Sequence, residues 1–83
     1  MKLLLDIGNS RIKVATLNGP DLTVHSAMNI TECDRLASLF ASLQPQISAC
    51  LASSVASDDY NQRIQNLLGT LPVRWAQARS HAA

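Results

Sequence analysis

Apolar positions change their spacing along the chain, and the changes mark out its elements. Leu3-Leu4-Leu5 is a short uninterrupted run, which suits a strand buried on both faces. Arg11 to Ala15 alternates charged and apolar residues, so it reads as an extended strand with Arg11 and Lys13 on one face. Asn18-Gly19-Pro20-Asp21 carries strong turn chemistry, after which Leu22, Val24 and Ala27 form a third strand with polar alternates Thr23, His25 and Ser26. Then the period becomes helical. Thr31 with Asp34 resembles a capping arrangement, and Leu36, Leu39, Phe40 and Leu43 define one apolar face that stops before Pro45. Ile47 to Val55 is small and apolar and reads as a tightly packed strand. Ser57 fits an N-cap, with Asp58 and Asp59 in the first turn of a second helix whose buried stripe is Tyr60, Ile64, Leu67 and Leu68. Gly69 lies where that helix should end, and Leu71 to Trp75 is a short last strand with Pro72 at its start or edge.

The predicted order is therefore β-β-β-α-β-α-β, an α/β domain over residues 1–76, with residues 77–83 as a tail or continuation. Eighty-three residues allow one small domain with a modest core, marginal unless a partner or further chain covers its sheet. Seven basic and six acidic residues give a net charge of +1, too little for an extended field that would steer nucleic acid or attract an anionic membrane. No run of 18 apolar residues occurs, and the run before Asp6 is too short for a signal-peptide core, so a cytoplasmic protein is expected. Cys33 and Cys50 are 17 residues apart with no C-x-x-C motif, which reads as two buried small hydrophobes rather than zinc ligands; the sequence leaves a disulfide open.

The strongest candidate chemistry is Asp6-Ile7-Gly8-Asn9-Ser10-Arg11-Ile12-Lys13, which gathers a carboxylate, a glycine, an amide, a hydroxyl and a lysine after the first apolar run. Asp6 ends that strand. Gly8 and Asn9 favour a turn with positive φ whose backbone N–H groups face outward towards a phosphate, Ser10 adds a hydroxyl, and Lys13 a point charge. Taken singly, each residue also fits a plain hairpin, with Asp6 bonding the turn and the basic residues on a solvated face. The combination favours a phosphate site. Neither G-x-x-x-x-G-K-[ST] nor G-x-G-x-x-G occurs, so a different phosphate fold is implied.

These residues resemble the first phosphate motif, D-x-G-x-[ST], of the acetate and sugar kinase, actin and heat-shock-chaperone superfamily. The longer form MKLLLDIGNSRIKVA is similar to the amino terminus of type III pantothenate kinases, the family of the Bvg accessory factor proteins, with matches at Asp6, Gly8, Asn9, Ser10 and Lys13. Ser53-Ser54-Val55 is similar, more weakly, to the family's small-residue strand end. The resemblance implies a ribonuclease H-like lobe of the actin-like ATPase superfamily, incomplete here. It also implies transfer of the ATP γ-phosphate to pantothenate, the first step of coenzyme A synthesis, with Mg²⁺, a monovalent cation (K⁺ or NH₄⁺) and a homodimer. On that basis Asp6 is the metal-associated carboxylate and residues 6–13 hold the cofactor. The family's G-x-D-R segment, with its general base and pantothenate contacts, does not occur in these 83 residues, so no catalytic residue is expected within the chain and the isolated piece is expected to be inactive. A non-catalytic nucleotide-binding or regulatory module of the same fold is the alternative, and a small partner protein with a purely structural hairpin is a third.

The other chemically capable residues read more simply as structure. Asp58 and Asp59 are capping carboxylates before they are metal ligands. His25 and His81 have no evident partners, and Ser53 and Ser54 lack the G-x-S-x-G context of a nucleophile and allow close packing instead. Tyr60 and Trp75 serve the core, Trp75 alternatively facing a missing portion, and Arg74 is a solvated edge charge.

Overall fold

The computed structural model describes residues 1–76. Five strands, β1 (Lys2–Ile7), β2 (Arg11–Asn18), β3 (Asp21–Asn29), β4 (Ala49–Ser54) and β5 (Val73–Ala76), and two helices, α1 (Cys33–Leu43) and α2 (Asp58–Leu68), follow one another in the order β-β-β-α-β-α-β. The strands form one mixed sheet in the order β3-β2-β1-β4-β5. β2 pairs antiparallel with β1 and β3, whereas β4 pairs parallel with β1 and β5. This is the α/β class and the element order expected from the sequence. No helix among the described residues is long and apolar enough to cross a membrane.

Alternation decides which face is covered. Leu3, Leu5 and Ile7 of β1, Ile12 and Val14 of β2, and Cys50 and Ala52 of β4 point to one side, where Leu36 and Phe40 of α1 and Ile64 and Leu68 of α2 complete the core. Both helices therefore lie on the same face. Leu4 is only half-buried, so the expectation of a first strand covered on both sides holds for one side alone.

β3 is the largest departure from the pattern reading. Its register shifts between Val14 and Ala15 of β2, placing Val24 opposite Ala15 and Ser26 opposite Val14 with His25 between them. Across this bulge the alternation resets. Met28 is the β3 residue in the core, while Leu22 and Val24 stand 60% and 69% exposed on the face away from the helices. His25 does have a partner: its Nε2 lies 2.8 Å from Oγ1 of Thr16, the one buried polar side chain among the described residues.

The helix ends follow their local chemistry, with one correction. Ser57 caps α2 as expected, its Oγ accepting from Tyr60 N at 3.2 Å, and Gly69 ends it at φ +66°, a conformation that a side chain would strain. At α1 the Thr31 and Asp34 pairing does not form. Glu32 stands at the cap without a side-chain cap bond, and Thr31 donates to Asn29 Oδ1 instead. Pro45 sits in a 3-10 turn, Gln44–Gln46, directly after α1. Gly19, at φ +60°, turns the chain between β2 and β3.

Both cysteines are free; Cys50 is buried, but Cys33 is only half-buried, its thiol directed at Ile30 O and Tyr60 Oη. Tyr60 and Trp75 pack against the core, Tyr60 Oη donating to Ile30 O at 2.8 Å and Trp75 Nε1 to Gln65 Oε1 at 2.9 Å. Arg74 is exposed. The tail residues 77–83, His81 included, lie outside the described residues.

Candidate functional site: a carboxylate and hairpin at the carboxyl edge of the sheet

Asp6 occupies the next-to-last position of β1, the middle strand of the sheet. Its neighbours Leu5 and Ile7 are 3% and 1% exposed on the helix side, so the period of two sends the Asp6 side chain to the open face. Lys13 lies directly opposite it on β2, and Ser53 lies opposite it on β4. A row Lys13–Asp6–Ser53 thus crosses three strands near the carboxyl ends of β1 and β4. In open α/β sheets, ligands collect in the crevice at that edge.

Among the described residues the one ion pair is Arg35–Glu32, at 2.9 Å. Asp6 and Lys13 are therefore neighbours in register without a closed salt bridge, and the Asp6 carboxylate keeps its lone pairs for another ligand.

The hairpin after Asp6 departs from the expected phosphate loop in two respects. Gly8 is not among the glycines with positive φ, and its N–H is already donated to Arg11 O at 2.8 Å, so it cannot hold a phosphate. A Cβ on Gly8 would meet Arg11 O at 3.4 Å, which is close to ordinary contact. The second strand resumes at Arg11 as expected, and Ile7 pairs with Ile12, leaving Asn9 and Ser10, both exposed, at the tip of the turn. Ile7 and Ile12 are each 1% exposed in the core and contribute no side chain to the site. Arg11 and Lys13 are both exposed on the same face as Asp6, as their alternation predicts.

A contact absent from the sequence reading fixes the hairpin tip. Ile30 N donates to Ser10 O at 2.9 Å, tying the turn to the loop between β3 and α1. That loop is itself braced, because Glu32 Oε1 accepts from Asn29 N while Oε2 meets Arg35. The hydrogen bond from Arg35, with help from the Asn29 amide, holds the Glu32 carboxyl below the usual 4.5. Arg11 stands close enough to reinforce it.

On the helix side of the same edge, a cleft of about 420 Å³ lies between the end of β4 and α2, lined by Ser54, Asp58, Asn61, Gln65 and Trp75 among others. Its polar groups are largely engaged with one another. Ser54 Oγ lies 2.6 Å from Asn61 Oδ1 and accepts from Ala56 N, and Gln65 holds the Trp75 indole. Ser54 is thus a bracket between β4 and α2. Ser53, one residue earlier, faces the opposite way beside Asp6 and was missed as a site residue; only the parallel pairing of β4 with β1 brings it there.

A single carboxylate in a row with a lysine and a hydroxyl cannot cage a metal alone, and no cluster of three His, Cys, Asp or Glu side chains occurs among the described residues. It suits a cation such as Mg²⁺, which keeps waters and shares one or two carboxylates with phosphate oxygens. Asp58 and Asp59 are exposed in the first turn of α2 beside the Ser57 cap, where they complement the helix dipole.

No protein-family model matches the chain, and no curated protein matches it. Among solved structures it is similar to the Aquifex aeolicus PPX-GPPA enzyme at 12% identity, with a TM-score of 0.41. The match covers 89% of this chain and 35% of that one, so this chain spans about a third of that enzyme's length. A similarity that distant assigns no chemistry.

Proposed function

We propose that the chain is the phosphate-binding lobe of an ATP-dependent small-molecule kinase, and specifically of a type III pantothenate kinase. The observation that carries the reading is the placement of Asp6: an exposed carboxylate, in no ion pair, at the carboxyl end of the central strand, flanked in register by Lys13 and Ser53. A solvated carboxylate between two covered leucine-type positions contributes little to folding, whereas phosphoryl transfer needs such a group close to the polyphosphate. Pantothenate as the acceptor rests on the resemblance of residues 1–15 to that family.

In this reading Asp6 binds the Mg²⁺ that accompanies ATP, directly or through a water, and the metal supplies charge neutralisation on the phosphates. The Asn9 and Ser10 amides and the Ser10 hydroxyl cradle phosphate oxygens at the hairpin tip, and Lys13 supplies a fixed positive charge beside them. Arg11 is the second cation of the same face. The bond from Ile30 N to Ser10 O holds the tip still, which preserves the alignment that phosphoryl transfer depends on.

Titration of the ¹⁵N-labelled chain with Mg²⁺–ATP tests the assignment. Amide shifts should centre on residues 6, 9–13 and 53, with millimolar affinity, because one wall of a pocket leaves much of the binding entropy uncompensated. Substituting Mn²⁺ should broaden the resonances around Asp6, and Asp6→Asn should abolish that broadening. Shifts confined to the α2 cleft, or broadening unchanged in the variant, would overturn the site.

A further inference from the structure

The exposed turn that carries Asn9 and Ser10 is held by two backbone bonds: Gly8 N donates to Arg11 O behind it, and Ile30 N donates to Ser10 O from the loop after β3. The first closes the hairpin on itself. The second ties its tip to the rest of the molecule, so the placement of Ile30 governs the placement of Ser10.

Ile30 is gripped at both of its polar ends. Its carbonyl accepts from Tyr60 Oη at 2.8 Å, and the Cys33 thiol, at 3.8 Å, adds a weak second donor. Tyr60 lies in the first turn of α2, where its own N–H is accepted by the Ser57 cap at 3.2 Å. The chain leading into α2 is fixed in turn to β1, since Val55 N donates to Ile7 O at 3.0 Å. α2 follows β4 whereas Ile30 follows β3, and in the sheet β1 and β2 stand between those two strands. The Tyr60 hydroxyl thus reaches across the hairpin whose tip Ile30 holds. A half-buried tyrosine hydroxyl ordinarily finds some acceptor. In this fold the acceptor is the carbonyl of the loop residue bonded to the tip. Burial raises the Tyr60 phenol above its ordinary 10.0, and the Cys33 contact adds to the rise, so the hydroxyl stays a donor at neutral pH.

We propose that Tyr60 is a positioning residue for the phosphate-binding hairpin: its hydroxyl fixes Ile30, and Ile30 fixes Ser10, so that the Asn9 and Ser10 amides present one arrangement to the nucleotide phosphates. This role rests on the phosphate-site reading of the hairpin and adds to it a residue of α2 that touches no ligand. Without the hydroxyl, the Ile30 carbonyl keeps only the thiol contact and the loop gains freedom. Ordering the tip on binding then weakens the affinity.

The test compares Tyr60→Phe with Ile64→Val in the full 83-residue chain. Each removes one small group from α2 and lowers global stability to a similar extent, but Tyr60→Phe alone deletes the bond to Ile30 O. The ring stays in place, so the fold is kept. Amide exchange and ¹⁵N relaxation read the tip directly. In Tyr60→Phe the Ile30 amide should exchange at least threefold faster than in Ile64→Val, and the order parameters of Asn9 and Ser10 should fall. Affinity for Mg²⁺–ATP, mapped at those two residues, should drop at least threefold, whereas Ile64→Val should leave it within twofold of the unmodified chain. Equal behaviour of the two variants, or an unchanged tip in Tyr60→Phe while the unmodified chain binds Mg²⁺–ATP at Asn9 and Ser10, would overturn the positioning role alone. Failure of the unmodified chain to bind Mg²⁺–ATP at the hairpin would overturn the phosphate-site reading, and the positioning role with it.

Discussion

Replacing Asp6 by asparagine separates a binding role from a structural one, because the structure bounds the stability effect tightly. The carboxylate is exposed, forms no ion pair among the described residues and is not packed against the core. Its nearest charged neighbour in register is Lys13, and opposite charges directly across antiparallel strands contribute roughly 0.2–1 kcal/mol. Losing that attraction leaves the shape of the side chain unchanged. The expected cost is therefore below about 1 kcal/mol, which for a domain of this size is a fall in Tm of less than about 4–8 °C. Urea unfolding should give a nearly unchanged midpoint with an unchanged m-value. Over the same substitution, Mn²⁺-dependent broadening with ATP should vanish. A loss of more than about 2 kcal/mol would refute the reasoning, since it would mean that Asp6 supports the turn and that its position at the sheet edge serves folding.

Further outcomes follow from the packing and from the thiol. Ile64→Ala removes a fully buried side chain of α2 and should cost roughly 2–5 kcal/mol, enough to unfold much of so small a domain, as circular dichroism would show. Ser57→Ala deletes the oxygen that accepts from Tyr60 N and should cost about 1 kcal/mol in urea unfolding, far less than Ile64→Ala. Burial pushes the Cys50 thiol up from 9.0 to about 12, so the unfolded chain releases this proton first. Its contribution to stability is fully present below pH 9 and is lost as pH rises towards 12; the urea midpoint should fall across that window, and less steeply in Cys50→Ala. In the native chain at pH 8, iodoacetamide should modify half-buried Cys33 well before Cys50, and the reverse order would contradict the burial pattern.

Element types were legible wherever a local rule acts alone. Ser57 and Gly69 bound α2, and Leu36 with Phe40 marks the buried side of α1, because caps and helical period depend on neighbours within a turn or two. The reading failed where a partner strand decides. Nothing in Leu22-Thr23-Val24-His25 announces that a bulge will reset the alternation and turn Leu22 and Val24 away from the helices, nor that His25 will meet Thr16 across it. At the candidate site, the alternation that exposes Asp6 and Lys13 was readable, but the donation from Gly8 N to Arg11 O was not, because it depends on how tightly the two strands close. Ser53 was invisible as a site residue for a similar reason. It lies opposite Asp6 only through the parallel pairing of two strands that are distant in the sequence.

The same core that folds the sheet also holds the candidate site in place. Asp6 lies between Leu5 and Ile7, and Lys13 between Ile12 and Val14, and all four flanking residues are at most 3% exposed on the helix side. Slipping β1 by one residue against the core would bury Asp6 and expose Leu5 and Ile7, and the same slip in β2 would bury Lys13. Each alternative costs an uncompensated buried charge together with lost apolar burial, so the competing registers are strongly disfavoured. The carboxylate and the lysine are thus kept side by side by residues that never touch a ligand. Substitutions at Leu5, Ile7 or Ile12 should for that reason disturb ligand binding and stability together, whereas changes at Asp6 or Lys13 should separate them.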